Sequence, residues 1–213
     1  MKNIVCFGDS NTWGYNPQMG ERYPYENRWT TILEEGLYFA EDKAIYKIIP
    51  EGLNGRTTTF EDPVEGDKCG IRHLPVILES HKPIDLLIIM LGTNDLKSRF
   101  SVNAQEIAGS AGRLVDLALN SGSSPAKNSP RIILISPPPV IEAERFAYAF
   151  SGAAEKSKGL AKAYEALAEE KGVYFLDAGT VVKSSIYDGI HWDAEYHKEF
   201  AIAVAEKVLK IFG

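Results

Sequence analysis

Short apolar runs alternate with longer amphipathic stretches along the whole chain. The runs have the length of strands, and the third is almost entirely apolar, as expected for a strand that is covered on both faces of a sheet. We therefore expect five strands, at Lys2–Phe7, Ala44–Ile49, Ile84–Leu91, Arg131–Ser136 and Val173–Leu176.

Between these runs, apolar residues recur at the spacing of helices that pack one face on a core. The predicted helices are Asn27–Phe39, Asn103–Leu119, Ala154–Lys171 and Ala194–Phe212, with a shorter helical segment around Leu74–Leu78. Alternating strands and helices predict a parallel sheet with helices on both faces. We expect a flavodoxin-like α/β fold, in which residues 1–213 form a single domain as a three-layer α/β/α sandwich around a five-stranded parallel sheet.

Composition and charge exclude several classes of protein. The net charge of the 213 residues is −6 and basic residues do not cluster, so a nucleic-acid partner is not expected. No stretch approaches the roughly 18 apolar residues of a membrane span, and the first apolar run is too short for a signal peptide. Cys6 and Cys69 are the only cysteines, which argues against a disulfide framework and favours a cytoplasmic location.

Four polar blocks stand where an open α/β sheet binds its ligands, beyond the carboxyl ends of the strands. Gly8–Asn11 follows the first strand, Gly52–Arg56 the second and Gly92–Asp95 the third, whereas Asp188–His191 precedes the last helix. The chemistry of the protein is therefore sought in these blocks.

Ser10 is the candidate nucleophile of the first block. A turn at Gly8 would present its hydroxyl at the strand end, but a serine is a weak nucleophile that needs a base within hydrogen-bond reach. Two other interpretations of the block stay open at this point. Asp9 or Ser10 could cap a helix, or the loop could cradle a phosphate.

His191 is the candidate base, because Asp188 precedes it by three residues in a Gly-containing turn. At that spacing the carboxylate can bind one ring nitrogen while the other faces the nucleophile, as in a Ser-His-Asp system. Alternatively, Asp188 or Asp193 caps the following helix. A metal site is disfavoured, since His191 and His197 lack the spacing of a helical zinc pair, and no cofactor is expected.

Three hydrogen-bond donors could stabilise the oxyanion that forms during acyl transfer. They are the backbone N–H of Ser10, the backbone N–H of Gly55 and the side-chain amide of Asn94. Asn94 could equally be an ordinary turn residue. Asp95 could cap the next helix or brace the loop.

Taken together, the four blocks resemble the motifs of the SGNH/GDSL hydrolase family, which place Ser, Gly, Asn and Asp-x-x-His in this order. The matching positions here are Ser10, Gly55, Asn94, and Asp188 with His191. The first block reads GDSN where the family name implies GDSL, a difference at Asn11. CFGDSNTWGY, EGLNGRTT, IIMLGTNDLK, SPPP and DGIHW are most similar to the bacterial arylesterase/acyltransferase branch.

The resemblance implies an SGNH hydrolase fold and a serine esterase for short-chain or aryl esters. Some members of that branch pass the acyl group to alcohols or peroxide, and some form oligomers, so it also implies acyltransferase activity and a homo-oligomer. A carbohydrate acetylesterase or a lysophospholipase/thioesterase of the same superfamily is an alternative. A non-enzymatic flavodoxin-like module that binds phosphate or a nucleotide is another.

The residues around the substrate are less well specified. Aromatic and proline side chains near the four blocks could line an apolar pocket or belong to ordinary packing; they are Trp13, Tyr15, Trp192 and Pro138 in the Pro137–Pro139 loop. Asn11 could shape the pocket mouth, and Arg56 could hold a substrate oxygen or brace the structure. Glu142–Gly152 could form a lid, or bury its aromatic residues against another subunit.

Overall fold

A computed structural model describes residues 1–40 and 46–213. Its five strands form one parallel sheet in the order β2-β1-β3-β4-β5. The strands are β1 (Lys2–Gly8), β2 (Tyr46–Gly52), β3 (Leu86–Met90), β4 (Arg131–Ser136) and β5 (Tyr174–Asp177). The five-stranded parallel sheet is therefore confirmed. Residues 44 and 45 of the predicted strand Ala44–Ile49 lie outside the described residues.

Helices cover both faces of the sheet. They are α1 (Ser10–Trp13), α2 (Trp29–Ala40), α3 (Gly70–His81), α4 (Ala104–Leu119), α5 (Ala147–Phe150), α6 (Ala153–Ser157), α7 (Leu160–Lys171) and α8 (Ala194–Phe212). Helices α3, α4 and α7 pack on one face, and α2 and α8 on the other. No helix in the described parts of the chain is long and apolar enough to span a bilayer.

The alternation of side chains along β1 explains why both faces need a cover. Val5 and Phe7 belong to the core under α3, α4 and α7, whereas Ile4 and Cys6 belong to the core under α2 and α8. Successive residues of a strand point to opposite faces, so a strand that is apolar at every position is stable only between two layers. The apolar pattern of the sequence thus produces the three-layer α/β/α sandwich.

Two helical predictions differ from the structure. The segment around Leu74–Leu78 is part of a longer helix, Gly70–His81, which continues through Pro75 although proline interrupts most helices. The predicted helix Ala154–Lys171 is two helices, α6 and α7. Gly159, a poor helix former, lies at their junction.

The sheet order creates a switch point between β1 and β3. From β1 the chain crosses to β2 on one side and then returns past β1 to β3 on the other. Because the connections leave the two strands in opposite directions, a crevice opens beyond their carboxyl ends. Ser10 follows β1 and Asn94 follows β3, so both lie at this crevice.

Candidate active site

Ser10 begins a one-turn helix directly after β1. The neighbouring carboxylate of Asp9 caps that helix by accepting a hydrogen bond from the backbone N–H of Asn11 at 3.0 Å. Asp9 therefore performs the capping role that the sequence left open between the two residues. The Ser10 hydroxyl is free to bond elsewhere.

The hydroxyl of Ser10, the ring of His191 and the carboxylate of Asp188 form one hydrogen-bonded chain. Ser10 Oγ lies 2.8 Å from His191 Nε2, and His191 Nδ1 lies 2.6 Å from Asp188 Oδ2. The second oxygen of Asp188 accepts the backbone N–H groups of Ile190 at 3.0 Å and of His191 at 2.9 Å. The structure thus brings together the three residues that the sequence placed 181 and 3 positions apart.

The surroundings of Asp188 favour its ionised form. Burial alone would raise the pKa of this carboxyl, but the hydrogen bond and charge of His191, with the two backbone N–H groups, outweigh burial and hold its pKa below the usual value. An ionised Asp188 accepts the proton on Nδ1 of the ring. Nε2 is then the acceptor that faces the Ser10 hydroxyl.

Three donors lie around one cavity next to this chain. Within the described residues, the backbone N–H groups of Ser10 and Gly55 have no acceptor. The Asn94 amide donates one hydrogen to the carbonyl of Arg56 at 3.1 Å, which leaves its second hydrogen for a ligand. Ser10, Gly55, Asn94 and His191 all line the same cavity. This arrangement can stabilise negative charge on a bound oxygen.

Gly55 is needed at its position for two reasons. Its φ of 81° is in the left-handed region that glycine adopts readily, and a Cβ there would lie 2.4 Å from the carboxylate of Glu65. A larger residue would therefore move either the backbone N–H or the cavity wall.

Asp95 ties the second polar block to the third. Its carboxylate accepts the backbone N–H of Thr58 at 3.0 and 3.1 Å, and also the hydroxyl of the same residue. Asp95 thus braces the loop, which was one of its two predicted roles. Burial raises the pKa of this carboxyl to about 6.

The cavity has a volume of about 220 Å³ and two chemically different walls. One wall is aromatic and is formed by Tyr15, Phe146, Tyr148 and Phe150. Three of these residues come from the 142–152 segment that the sequence singled out as a lid. The other wall is polar and is formed by Asn54, Glu65 and Lys97.

Lys97 is held in the polar wall by an ionic cluster with one buried carboxylate and one exposed carboxylate. Its ammonium lies 3.1 Å from Asp62 and 2.5 Å from Glu65, and Arg99 lies 3.0 Å from Asp62. Because the lysine is almost fully buried, these carboxylates offset the cost of removing its ammonium from water. Sequence reasoning missed this wall. Two of its residues could have been suspected from their positions, because Asn54 precedes Gly55 and Lys97 comes three residues after Asn94. Glu65 is not close in sequence to any of the candidate site residues.

Arg56 and Trp192 were expected at the pocket, but the structure places them behind it. Arg56 donates to the carbonyl of Gly8 at 2.9 Å and to that of Glu51, and it stacks on the ring of Phe7. It therefore braces the ends of β1 and β2. Trp192 is fully buried in the layer of α2 and α8.

The other three predicted pocket residues also do not line the cavity. Asn11 is buried within α1, and Trp13 packs under the guanidinium of Arg22 at 4.8 Å. Pro138 is buried beyond β4, near Gly179. Residue type and proximity in sequence do not determine which side of a loop faces a cavity. Tyr15, two residues after Trp13, is an aromatic residue that lines the cavity, whereas Trp13 does not.

The metal-binding alternative has no cluster to support it in the part of the chain that the structure describes. There, no group of three or more His, Cys, Asp or Glu side chains is arranged to hold an ion. His197 lies in the core, where its Nδ1 accepts the backbone N–H of Trp29 at 3.3 Å. Asp193 accepts the hydroxyl of Ser185 at 3.0 Å.

A family model for GDSL-like lipases and acylhydrolases matches residues 6–198. The chain belongs to the GDSL-like lipase/acylhydrolase family. This GDSL protein is therefore a carboxylic ester hydrolase with the SGNH hydrolase fold. No significant match was found among curated protein sequences.

Solved structures agree with this family. A carbohydrate acetylesterase from Sinorhizobium meliloti is 40% identical, with a TM-score of 0.92 over 99% of this chain and 100% of that one. An aryl esterase of M. smegmatis is 38% identical, with a TM-score of 0.92 over 99% of each chain. The predicted homo-oligomer and cytoplasmic location stay predictions.

Replacing Asp95 by asparagine should change how the stability of the GDSL protein depends on pH. A folded-state pKa of about 6 exceeds the ordinary aspartate value of about 3.9, so the stabilising effect of the protonated form is complete below about pH 4 and lost as the pH rises through 6. The free energy of unfolding of Asp95→Asn, relative to wild type, should therefore increase by about 2 kcal/mol between pH 4 and pH 7. Urea denaturation at a series of pH values measures this difference, and parallel curves would contradict it.

Proposed function

We propose that residues 1–213 form a single serine esterase domain that cleaves short-chain or aryl carboxylic esters through an acyl-enzyme on Ser10. The observation that carries the proposal is the hydrogen-bonded chain from Ser10 through His191 to Asp188 at the wall of the cavity. A cavity of about 220 Å³ supports a small acyl group over the long chains that a lysophospholipase or thioesterase would need to hold.

Acylation begins when Ser10 Oγ attacks the ester carbonyl carbon. The hydroxyl proton passes to Nε2 of His191, the new C–O bond forms, and the carbonyl electrons move onto the oxygen. The N–H groups of Ser10 and Gly55 and the Asn94 amide stabilise that oxyanion, and Asp188 stabilises the imidazolium. Collapse of the intermediate breaks the bond to the leaving oxygen, which takes the proton from His191.

Deacylation repeats these steps with a second nucleophile. His191 removes a proton from water, the hydroxide oxygen attacks the acyl carbon, and Ser10 Oγ leaves with the proton returned by the imidazolium. An alcohol or peroxide in the same place yields a new ester or a peracid. The aromatic wall of the cavity supports this acyl transfer, because it can retain an organic acceptor beside the acyl-enzyme.

Ser10→Ala should reduce hydrolysis of p-nitrophenyl acetate to background, because no other hydroxyl is bonded to His191 in the described residues. A fluorophosphonate should add to the wild-type chain at Ser10, as read by mass spectrometry of its peptides, and should not add to the variant. Ser80→Ala is the matched control, since Ser80 is exposed on α3. Full activity of Ser10→Ala would refute the proposal, and absence of labelling would favour the non-enzymatic phosphate- or nucleotide-binding alternative.

Asn94→Ala should lower kcat by about 10²–10³-fold, the usual effect of removing one oxyanion donor. The charge that this amide stabilises exists only in the transition state, so KM should change much less. Asn120→Ala is a matched control, because the Asn120 amide also donates to a backbone carbonyl, at 2.7 Å, but on the exposed end of α4. Equal effects of the two substitutions on esterase kinetics would remove Asn94 from the oxyanion site.

A second candidate function is carbohydrate ester hydrolysis, which the polar wall favours. Asn54 Oδ1 is buried without a hydrogen-bond partner among the described residues and belongs to a residue that lines the cavity. The polar side chains of Asn54 and Glu65, which line the same cavity as the aromatic residues, can bind hydroxyls of the alcohol portion of the ester. The Sinorhizobium meliloti structure with 40% identity is also a carbohydrate acetylesterase.

Asn54→Ala should distinguish carbohydrate esters from aryl esters. If Asn54 binds a sugar hydroxyl, kcat/KM for an acetylated sugar should fall by about 2- to 10-fold, the usual value of one neutral hydrogen bond. Phenyl acetate carries the same acetyl group without hydroxyls and is the control substrate. Its kcat/KM should be the same for Asn54→Ala and for the wild type. A parallel loss on both esters would exclude this role.

A further inference from the structure

The ring of Tyr15 lies flat against the imidazole of His191. The two ring centroids are 4.0 Å apart and the planes differ by 30°. Phe146 approaches the same imidazole edge-on, with centroids 6.1 Å apart and planes at 70°. The base is thus bonded through both nitrogens and covered on one face by an electron-rich ring.

Tyr15 is itself fixed at both ends. Its backbone pairs with that of Arg22 in a short hairpin. Its hydroxyl accepts a hydrogen bond from Arg145 at 3.2 Å, and the same guanidinium donates to the carbonyl of Pro17 at 2.6 Å. Arg145 belongs to the 142–152 segment, so this segment, the hairpin and the histidine are connected through one tyrosine.

We propose that Tyr15 is a positioning residue for His191, whose ring face stabilises the imidazolium formed during acylation, with Arg145 holding the tyrosine in place. The inference rests on the proposed function, since it requires His191 to receive the Ser10 proton.

The geometry explains why a third contact is useful. The bonds to Ser10 and Asp188 lie along the plane of the imidazole, so they restrict tilting of the ring less than a second ring stacked on its face. A cation over an aromatic face is also attracted by the negative charge on that face. Neutral imidazole has no such attraction, so the contact strengthens when the proton arrives, which is the condition for lowering the barrier.

The division of the effect between kcat and KM for ethyl acetate provides the test. Because the imidazolium forms only as the Ser10 proton is transferred, Tyr15→Leu should lower kcat by about 2- to 30-fold, the range that one cation–ring contact implies. KM should change much less, because the contact strengthens only after the substrate is bound. Tyr15→Phe keeps the ring and should keep most of kcat.

Tyr148→Leu is the matched control, because Tyr148 also lines the cavity but has no ring contact with His191 in the described structure. Any effect of Tyr148→Leu should fall on KM. A loss for Tyr15→Leu that falls on KM while kcat is retained, or a kcat for Tyr15→Phe as low as that of Tyr15→Leu, would overturn the inference. Thermal unfolding establishes that each variant is folded. If Tyr15→Leu folds poorly, Tyr15→Met replaces it in the test.

The result is separable from the proposed function. If Ser10→Ala kept its activity, the mechanism itself would fail whatever the Tyr15 variants did. If Ser10→Ala were inactive and the kcat of Tyr15→Leu matched wild type, only the role of Tyr15 would be wrong.

Discussion

A buried carboxylate must be fully hydrogen-bonded, and in this chain that requirement determines where the ring of His191 can lie. Asp188 is 1% exposed, and its two oxygens accept from the His191 ring and from two backbone N–H groups of the same turn. An isolated charge at this position would cost several kcal/mol. These hydrogen bonds stabilise a conformation of the turn that directs Nε2 of the histidine at the Ser10 hydroxyl.

The same turn is supported from outside by the segment after β4. Gly189 has a φ of 79°, and its carbonyl accepts the backbone N–H of Ile141 at 2.9 Å. A Cβ on Gly189 would lie 2.2 Å from the carbonyl oxygen of Ile141, so the two segments approach as closely as backbones can. Beyond Ile141, this segment continues to Arg145 and the aromatic wall. The segment after β4 therefore supports both the turn that holds the His191 ring and the aromatic wall of the cavity.

Most of the architecture could be predicted because it follows from periodicity. Strands such as Leu86–Met90 are buried on both faces, and their apolar runs are visible in any window of the sequence. The polar blocks could also be recognised in the sequence. Those with glycine, serine and asparagine follow strand ends, where ligands bind, and the Asp-x-x-His spacing precedes the last helix. Arg56 and Trp192 show the limit of this reasoning. Both are close in sequence to residues at the cavity, yet one binds carbonyls beneath it and the other fills a core.

Glu65 could not be predicted because its importance depends on long-range contacts. Its carboxylate lies in the space that a Cβ on Gly55 would need, and it pairs with Lys97, 32 positions later in the chain. Within this cluster, in which Asp62 and Lys97 are buried and Glu65 is exposed, two carboxylates face two basic side chains, so their charges balance. A negative carboxylate beside the oxyanion donors would oppose the charge they stabilise if it stood alone. Lys97 and Arg99 offset that repulsion, which allows a polar wall to lie next to the proposed oxyanion site.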